Sequence, residues 1–367
     1  MSWRIFHDPD VQDFMRHHQD ADVRDLALKK PPEPSWPYAL ILDQIKVRQR
    51  AKIKSPDLYD TNGFIFPSYD LFEQSSSSAC ANYKASLIGE CNRFVDLTAG
   101  CGGDSFAFSR QVKQSILVER EENYAQILSH NTKCLGGDVT VICQDAESYV
   151  GDMSRADLVF IDPQRREKGR KGLYNFFDCS PDILSLLPIL REKTKYIMIK
   201  ASPLLDIEKG IKMLGFVSQV HVVQWRRECK ELLYILDSDS KMHPDDVPII
   251  AVDLDDTGHV CTKFSYSFGQ EKKISPAYAM PQKYIYEPDP AFQKAGGFKS
   301  MAAQLGLHKL HPNTHLYTSE DRRDDFPGKY YRVEDIVTVN RKALPIRRAD
   351  LVLRNFPSTV DALRKKL

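Results

Sequence analysis

The chain is 367 residues long, more than one typical domain of roughly 100–200 residues, so two or three domains are expected. With 42% apolar and 28% charged residues it is not a disordered chain, and 51 Lys and Arg against 50 Asp and Glu exclude a polycation. The balance of +1 is uneven: residues 278–367 carry 16 basic and 10 acidic groups, against 11 and 13 in 1–90 and 24 and 27 in 91–277.

Residues 1–90 read as mainly helical. Helical apolar spacing runs through 10–15 and 23–28, and the proline-rich stretch Pro31–Pro37 then blocks helix continuation. A second amphipathic stretch, Tyr38 to Ile53, carries Lys46, Arg48, Arg50, Lys52 and Lys54, either a phosphate-facing edge or a solvated helix face. From Arg93 apolar strands are expected at Arg93–Leu97, Ser115–Glu119, Val139–Cys143, Leu158–Asp162 and Tyr196–Ala201. Helices are expected between them at Ser105–Val112, Glu122–Cys134, Ala146–Tyr149 and Asp182–Arg191. This alternation predicts a parallel sheet with right-handed crossovers. A helix at Leu205–Leu214 and strands at Val217–Trp225 and Leu232–Asp237 follow, the second antiparallel to the first. Strands Ile249–Leu254 and His259–Phe268 flank Asp255–Gly258, a hairpin signal. Beyond them come a helix at Phe298–Leu305, strands at Tyr330–Val333, Ile336–Val339 and Ala349–Leu353, and a last helix from Thr359.

The eight cysteines form no CxxC pair and read as reduced, mostly buried residues. The first residues carry no signal-peptide run, and no window of ~18 apolar residues occurs. A cytoplasmic protein with no membrane partner is expected.

The most informative segment is Phe94–Phe108. An apolar strand ends at Asp96, a loop with Gly100, Gly102 and Gly103 follows, and a helix begins near Asp104, so backbone amides can approach a ligand closely. Gly100-x-Gly102-x-x-Ser105 lacks the third glycine of the dinucleotide fingerprint, which counts against a nicotinamide cofactor. Glu119, Asp145 and Asp162 close or follow the next three strands, so four carboxylates fall along one rim of the sheet, where doubly wound folds bind ligands. Such a rim suits a sulfonium and an ammonium better than a pyrophosphate. Taken singly, each acid also reads as loop solvation or a helix cap.

These residues resemble the class I S-adenosylmethionine-dependent methyltransferases over about 91–240, with Asp96 to Gly102 as the first motif, Glu119 as the ribose acid and Asp145 as the adenine contact. The chain is similar, over nearly its whole length, to bacterial methyltransferases that end in a THUMP-like domain. That likeness rests on Glu73–Lys84, Asp162–Arg166, Lys200–Pro203, Glu228–Glu231, Tyr286-Glu-Pro and Lys294–Gly297, although Ser78 and Cys80 stand where the pattern has Glu and Thr. The resemblance implies an α/β fold: a doubly wound Rossmann-like methyltransferase sheet with an antiparallel edge over 91–277, after a helical region 1–90. A small α+β, ferredoxin-like segment 278–321 and an incomplete THUMP-like domain 322–367 would follow. It implies S-adenosylmethionine as cofactor, held by Ser76, Asp96, Thr98, Ala99, Gly100, Gly102, Glu119, Arg120, Asp145 and Ala146.

Asp162-Pro163 sits where enzymes methylating exocyclic base amines carry Asp-Pro-Pro-aromatic. Here Gln164 and Arg165 replace the second proline and the aromatic, and a guanidinium can itself stack on a base. Asp162, Pro163 and Arg165 are therefore the expected catalytic residues, with Asp162 orienting and deprotonating an amine. Arg165, Arg166, Lys168, Arg170, Lys171 and Lys200 are the expected RNA-binding residues. Lys200 could also neutralise Asp162 or make a structural ion pair. Covalent chemistry at uridine carbon 5 needs a cysteine after the fifth strand; Lys200-Ala-Ser-Pro stands there, and Cys229 is a poor substitute. Trp225–Arg227 could add stacking and charge. His308, His311 and His315 lack a carboxylate or cysteine partner and are interrupted by Pro312, so no metal is expected. Arg322, Arg323, Arg332, Arg341, Lys342, Arg347 and Arg348 give the tail its charge, either for phosphate or as a solvated face. The leading expectation is methylation of an exocyclic base amine in structured RNA, tRNA or rRNA. The alternatives are an inactive RNA-binding module and a methyltransferase for DNA or protein.

Overall fold

The structure, a computed structural model, describes residues 3–165, 175–340 and 349–366. Residues 1–90 are helical as expected: α1 (Pro9–His17), α2 (Val23–Ala27), α3 (Tyr38–Lys54), α4 (Pro56–Tyr59), α5 (Tyr69–Gln74) and α6 (Ser78–Ser86). Short polar side chains start several helices by accepting amide hydrogens, Asp8 for α1, Asp22 for α2 and Ser77 for α6.

The cations of α3 find partners inside the protein. Lys46 lies 3.5 Å from the Tyr69 ring centroid, Arg48 stacks on Tyr59, Arg50 pairs with Glu73 at 2.8 Å and Lys52 with Asp20 at 2.5 Å. Lys54 is buried and donates to the Phe72 and Glu73 carbonyls at 2.6 and 2.7 Å, capping the end of α5. The row serves intramolecular packing rather than a phosphate-facing edge.

The alternating segment runs β1 (Arg93–Asp96), α7 (Ser105–Ser109), β2 (Gln114–Glu119), α8 (Glu122–Leu135), β3 (Val139–Cys143), α9 (Ala146–Asp152) and β4 (Ala156–Ile161). It continues as α10 (Ile183–Lys193), β5 (Thr194–Ala201), α11 (Ile207–Leu214), β6 (Val217–Trp225), β7 (Glu228–Asp237), β8 (Ile249–Leu254), β9 (Val260–Tyr266) and α12 (Phe268–Lys273). These strands form one sheet of order β9-β8-β6-β7-β5-β4-β1-β2-β3. β3, β2, β1, β4 and β5 are parallel, whereas β7 is antiparallel to both neighbours and β9 to β8. The antiparallel strand β7 thus lies inside the sheet, and β8 and β9 extend it further. The chain leaves β1 toward β3 and returns to β4, so the carboxyl ends of β1 and β4 border the crevice where doubly wound sheets take ligands.

One face of the sheet is covered from the amino-terminal side. Phe64, Phe66 and Phe72 pack with Phe94, Phe106, Phe108 and Phe160, and Ala79, Cys80 and Tyr83 of α6 pack on β6, β7 and β8. The opposite face carries α9, α10 and α11, and its core continues without a break into residues 284–326. That last unit contains β10 (Tyr284–Pro288), α13 (Pro290–Ala295), α14 (Phe298–Leu305), β11 (His308–His311), β12 (Thr314–Ser319) and β13 (Gly328–Arg332). Its antiparallel sheet has the order β11-β12-β10-β13. β13 lies beyond residue 321 and still pairs with β10, so this sheet crosses the expected boundary. Residues 336–339 and the described residues 349–353 form no strand; α15 (Val360–Lys366) is the last element. Together these make an α/β fold with a mixed Rossmann-like sheet, a helical amino-terminal region and a small carboxy-terminal α+β unit.

Of the eight free cysteines only Cys80 is buried; Cys143 and Cys261 are exposed on the outer strand β3 and the edge strand β9. No helix among the described residues is long and apolar enough to cross a membrane.

His221 on β6 is 3% exposed, its Nδ1 is 2.6 Å from the Tyr83 hydroxyl, and its Nε2 has no hydrogen-bond partner among the described residues. Burial, with a smaller push from Lys263, lowers its pKa to about 4. The unfolded chain binds this proton near the ordinary value of 6.5 and the folded chain does not, so stability falls as pH drops between these values. His221→Phe is expected to remove about 2 kcal/mol of the stability lost between pH ~7 and ~5. Urea unfolding of both proteins at the two pH values measures the difference; parallel losses would show that His221 titrates normally.

Candidate active site

A cavity of about 780 Å³ opens at the carboxyl ends of β1, β2, β4 and β5, within the usual 300–1,000 Å³ of small-molecule sites. The turn after β1 builds its floor. Asp96, 1% exposed, accepts from the Thr98 amide at 2.8 Å and from the Ser105 hydroxyl at 2.6 Å, joining the two ends of the turn. Burial pushes its carboxyl up to about 7 against those two hydrogen bonds. Gly100 and Gly102 have φ of +53° and +86°, and a Cβ on Gly102 would lie 2.2 Å from Phe106. Gly102 therefore shapes the turn and seats the Phe106 ring, while Thr98, Ala99 and Gly100 line the cavity. The Thr98 hydroxyl accepts from the Asp162 amide at 2.7 Å, tying this turn to the end of β4.

Glu119 ends β2. Its Oε2 accepts from the Gly100 amide and its Oε1 from the Glu121 amide, both at 2.8 Å, and the second lone pair of each oxygen could receive a ribose hydroxyl. Arg120 and Ala146 also line the cavity. Asp145 does so while capping α9: its carboxylate accepts from the Ser148 amide at 2.7 Å and hydroxyl at 3.0 Å, which lower its pKa. The cap and the site are the same residue.

A buried charge cluster closes the other end. Lys84 on α6 is fully buried; its Nζ lies 2.5 Å from Glu231, 3.1 Å from Asp104 and 3.0 Å from the Ser76 hydroxyl. Ser76 in turn donates to Asp104 at 2.9 Å, so its hydroxyl serves this cluster and not an open ligand position. Lys200 at the end of β5 donates to Asp162 at 2.6 Å and lies 3.7 Å from Asp104. Burial disfavours its charge, but Asp162, Asp104 and Glu231 overturn that and raise its pKa. Lys200 was expected among the RNA contacts; its side chain is 12% exposed and neutralised within the fold, so it is not presented to a phosphate.

The structure thus brings every expected cofactor and catalytic position among the described residues to the cavity wall except Gly102, behind the turn, and Arg165, of which only the backbone is described; Ser76 is at the wall with its hydroxyl held by the charge cluster. Arg165 pairs with Cys179, and Gln164 with Ser180, in a two-residue ladder beside the cavity. Arg166, Lys168, Arg170 and Lys171, like Arg341, Lys342, Arg347 and Arg348, lie outside the described residues. Asp104 and the wall residues Tyr124 and Gln144 carried no expectation. Trp225 is core, donating to Asp256 at 2.9 Å, and Arg226 pairs with the same carboxylate. Burial pushes the Cys229 thiol up to about 12, far from a nucleophile's range. His308 and His311 lie on β11 and His315 stacks on Phe298; among the described residues no cluster of His, Cys, Asp or Glu could hold a metal. In the tail Arg322 and Arg332 pair with Asp324 and Glu334.

A sheet with an internal antiparallel seventh strand, a glycine turn after β1 and an acid at the end of β2 define the class I methyltransferase arrangement. The crystal structure of a Porphyromonas gingivalis W83 protein described as a methyltransferase is 32% identical, with a TM-score of 0.86 over 97% of this chain and 90% of that one. Two Mycobacterium tuberculosis proteins, from strains CDC 1551 / Oshkosh and ATCC 25618 / H37Rv, are named uncharacterized S-adenosylmethionine-dependent methyltransferases. Each is 24% identical over 352 residues, covering 89% of this chain and 88% of its own. Residues 67–171 match the family described as conserved hypothetical protein 95, and 284–327 match a ferredoxin-like domain. The chain belongs to the class I S-adenosylmethionine-dependent methyltransferases; it binds S-adenosylmethionine, which supplies a methyl group on a sulfonium.

Proposed function

We propose that this methyltransferase acts on structured RNA, tRNA or rRNA, and that Asp162, Pro163 and Arg165 form its acceptor end. In this reading the turn after β1, Glu119 with Arg120, and Asp145 with Ala146 hold the cofactor. The observation that supports RNA is the position of the basic run in the sequence. Arg165, Arg166, Lys168, Arg170 and Lys171 are strung between Gln164 and Asn175, two residues that both line the cavity. A basic run whose flanking residues line a catalytic mouth suits a phosphate backbone. On resemblance alone, 322–367 is assigned as a THUMP-like segment that delivers RNA; the pairing of Arg322 and Arg332 leaves the run between Gln164 and Asn175 as the stronger support. The base amine read from the sequence rests on Asp162-Pro163.

Full-length enzyme with tritiated S-adenosylmethionine and RNA, DNA and protein fractions of one cell extract provides the test. Label is expected in the RNA fraction, sensitive to ribonuclease and absent with Asp162→Ala. Label in protein or DNA alone would remove RNA as the substrate.

A further inference from the structure

The acceptor end of the cavity holds more charge than a base amine needs. It is lined by Asp162, Pro163, Gln164, Lys200, Ser202 and Pro203. Lys84 holds Asp104 and Glu231, and Lys230, which also lines the cavity, pairs with Glu228, so the ion pair at this wall is Lys200 with Asp162, 2.6 Å apart. The Asp162 side chain is 37% exposed and that of Lys200 12%. This pair offers an N–H donor and a carboxylate acceptor side by side.

The two possible nucleophiles make different demands on such a pair. An exocyclic base amine has N–H donors and a delocalised lone pair, so it can use the carboxylate but not the ammonium. As its nitrogen bonds to the methyl it gains positive charge, which an adjacent ammonium repels. A hydroxyl donates and accepts at once, and the charge it develops on losing its proton is negative. Ring surface points the same way. Phe160 and Phe176 are 1% and 2% exposed, and Tyr124 sits by Glu119 and Glu121 at the cofactor end. Among the described residues that line the acceptor end, none therefore offers an open aromatic face to a base; Phe177, next to Phe176, is 68% exposed but does not line the cavity.

We infer that the acceptor is a hydroxyl, the ribose 2′-hydroxyl of RNA, with Asp162 taking its proton and Lys200 stabilising the oxygen. This rests on the RNA reading above. The O–H bond breaks toward Asp162, the oxygen pair forms the new C–O bond, and the C–S pair leaves with sulfur. The product is a methyl ether, and Asp162 passes its proton to solvent.

Alkali separates the two acceptors, because cleavage of RNA by base requires a free 2′-hydroxyl. RNA labelled with tritiated S-adenosylmethionine by the full-length enzyme is hydrolysed in alkali and sized. Label is expected in alkali-resistant dinucleotides. Label in mononucleotides overturns the hydroxyl acceptor and leaves the RNA reading standing, whereas label absent from RNA overturns both. Lys200→Met is expected to slow dinucleotide labelling by at least about a hundredfold. Its affinity for S-adenosylhomocysteine by calorimetry should stay within about threefold, under 1 kcal/mol. Lys200→Arg, which keeps a cationic donor, should retain more activity than Lys200→Met. Asp162→Asn keeps the side chain's shape and should show the same loss if Lys200→Met does not fold. Wild-type rates in Lys200→Met or Asp162→Asn overturn the assignment.

Discussion

Lys84→Met is expected to cost about 3–5 kcal/mol of stability, the largest effect of any single replacement proposed for this chain. Burial disfavours the Lys84 ammonium, and Asp104 and Glu231 more than reverse that, raising its pKa. Without Lys84 both carboxylates stay buried with one cation, Lys200, to share, and Asp104 lies 3.7 Å from it. The Ser76 hydroxyl loses a donor as well. Removing one member of a buried pair is costly because the other charge remains, whereas removing both is often nearly neutral. Lys84→Met with Glu231→Leu should therefore cost less than Lys84→Met alone. Urea unfolding of the wild type, both single variants and the double variant closes the cycle. A loss below about 1 kcal/mol in Lys84→Met would show that the cluster contributes little net stability.

Glu119→Ala should weaken S-adenosylhomocysteine binding by about a hundredfold, near 3 kcal/mol. Hydrogen bonds to a charged group contribute about 1.5–3 kcal/mol each, and Glu119 has two lone pairs left for a ribose. The replacement also frees the Gly100 amide, so the turn after β1 loses its tie to β2. Asp145→Ala is a graded comparison. It removes a helix cap, so some stability is lost as well, and should reduce affinity by about tenfold, since the carboxylate already holds Ser148. Calorimetry on the three proteins ranks them; unchanged affinity in Glu119→Ala would remove that residue from the ribose position.

The sheet was legible because its strands are rich in apolar, β-branched residues: Val139–Cys143, Val217–Trp225 and Ile249–Leu254 fall where the pattern put them. β7 begins at Glu228, four residues before the expected start, because the β6–β7 turn is Arg226-Arg227, with φ of 52° and 60°. A turn with both residues at positive φ is normally marked by Gly or Asn, and neither is present. Strands β10 to β12 were missed since their runs are short and rich in Tyr, His and Lys, with Tyr286 and Tyr317 buried through tertiary packing. The acidic rim of the cavity was readable because acids at the carboxyl ends of successive parallel strands fall on one edge of the sheet. Of the charge cluster only the Lys200–Asp162 pair was readable; Lys84, Asp104 and Glu231 were not, because they come from α6, the turn after β1 and β7, far apart in sequence. A signal existed: Lys84 sits among small residues, and Glu231 opens the apolar run Leu232–Leu236, contexts where an ion needs a buried partner.

The cavity wall includes Leu71, Gln74, Ser75 and Ser76, all from before β1. A fragment beginning at residue 91 would keep every strand of the large sheet yet lack that wall and the cation that Asp104 and Glu231 require. The helical region is thus a piece of the pocket itself, and ligand and docking are thermodynamically linked. A ligand at a hundred times its Kd adds about 2.7 kcal/mol to whatever state binds it. Here that state includes the docked helices, so saturating cofactor should protect peptide bonds of the amino-terminal region from protease along with those of the sheet.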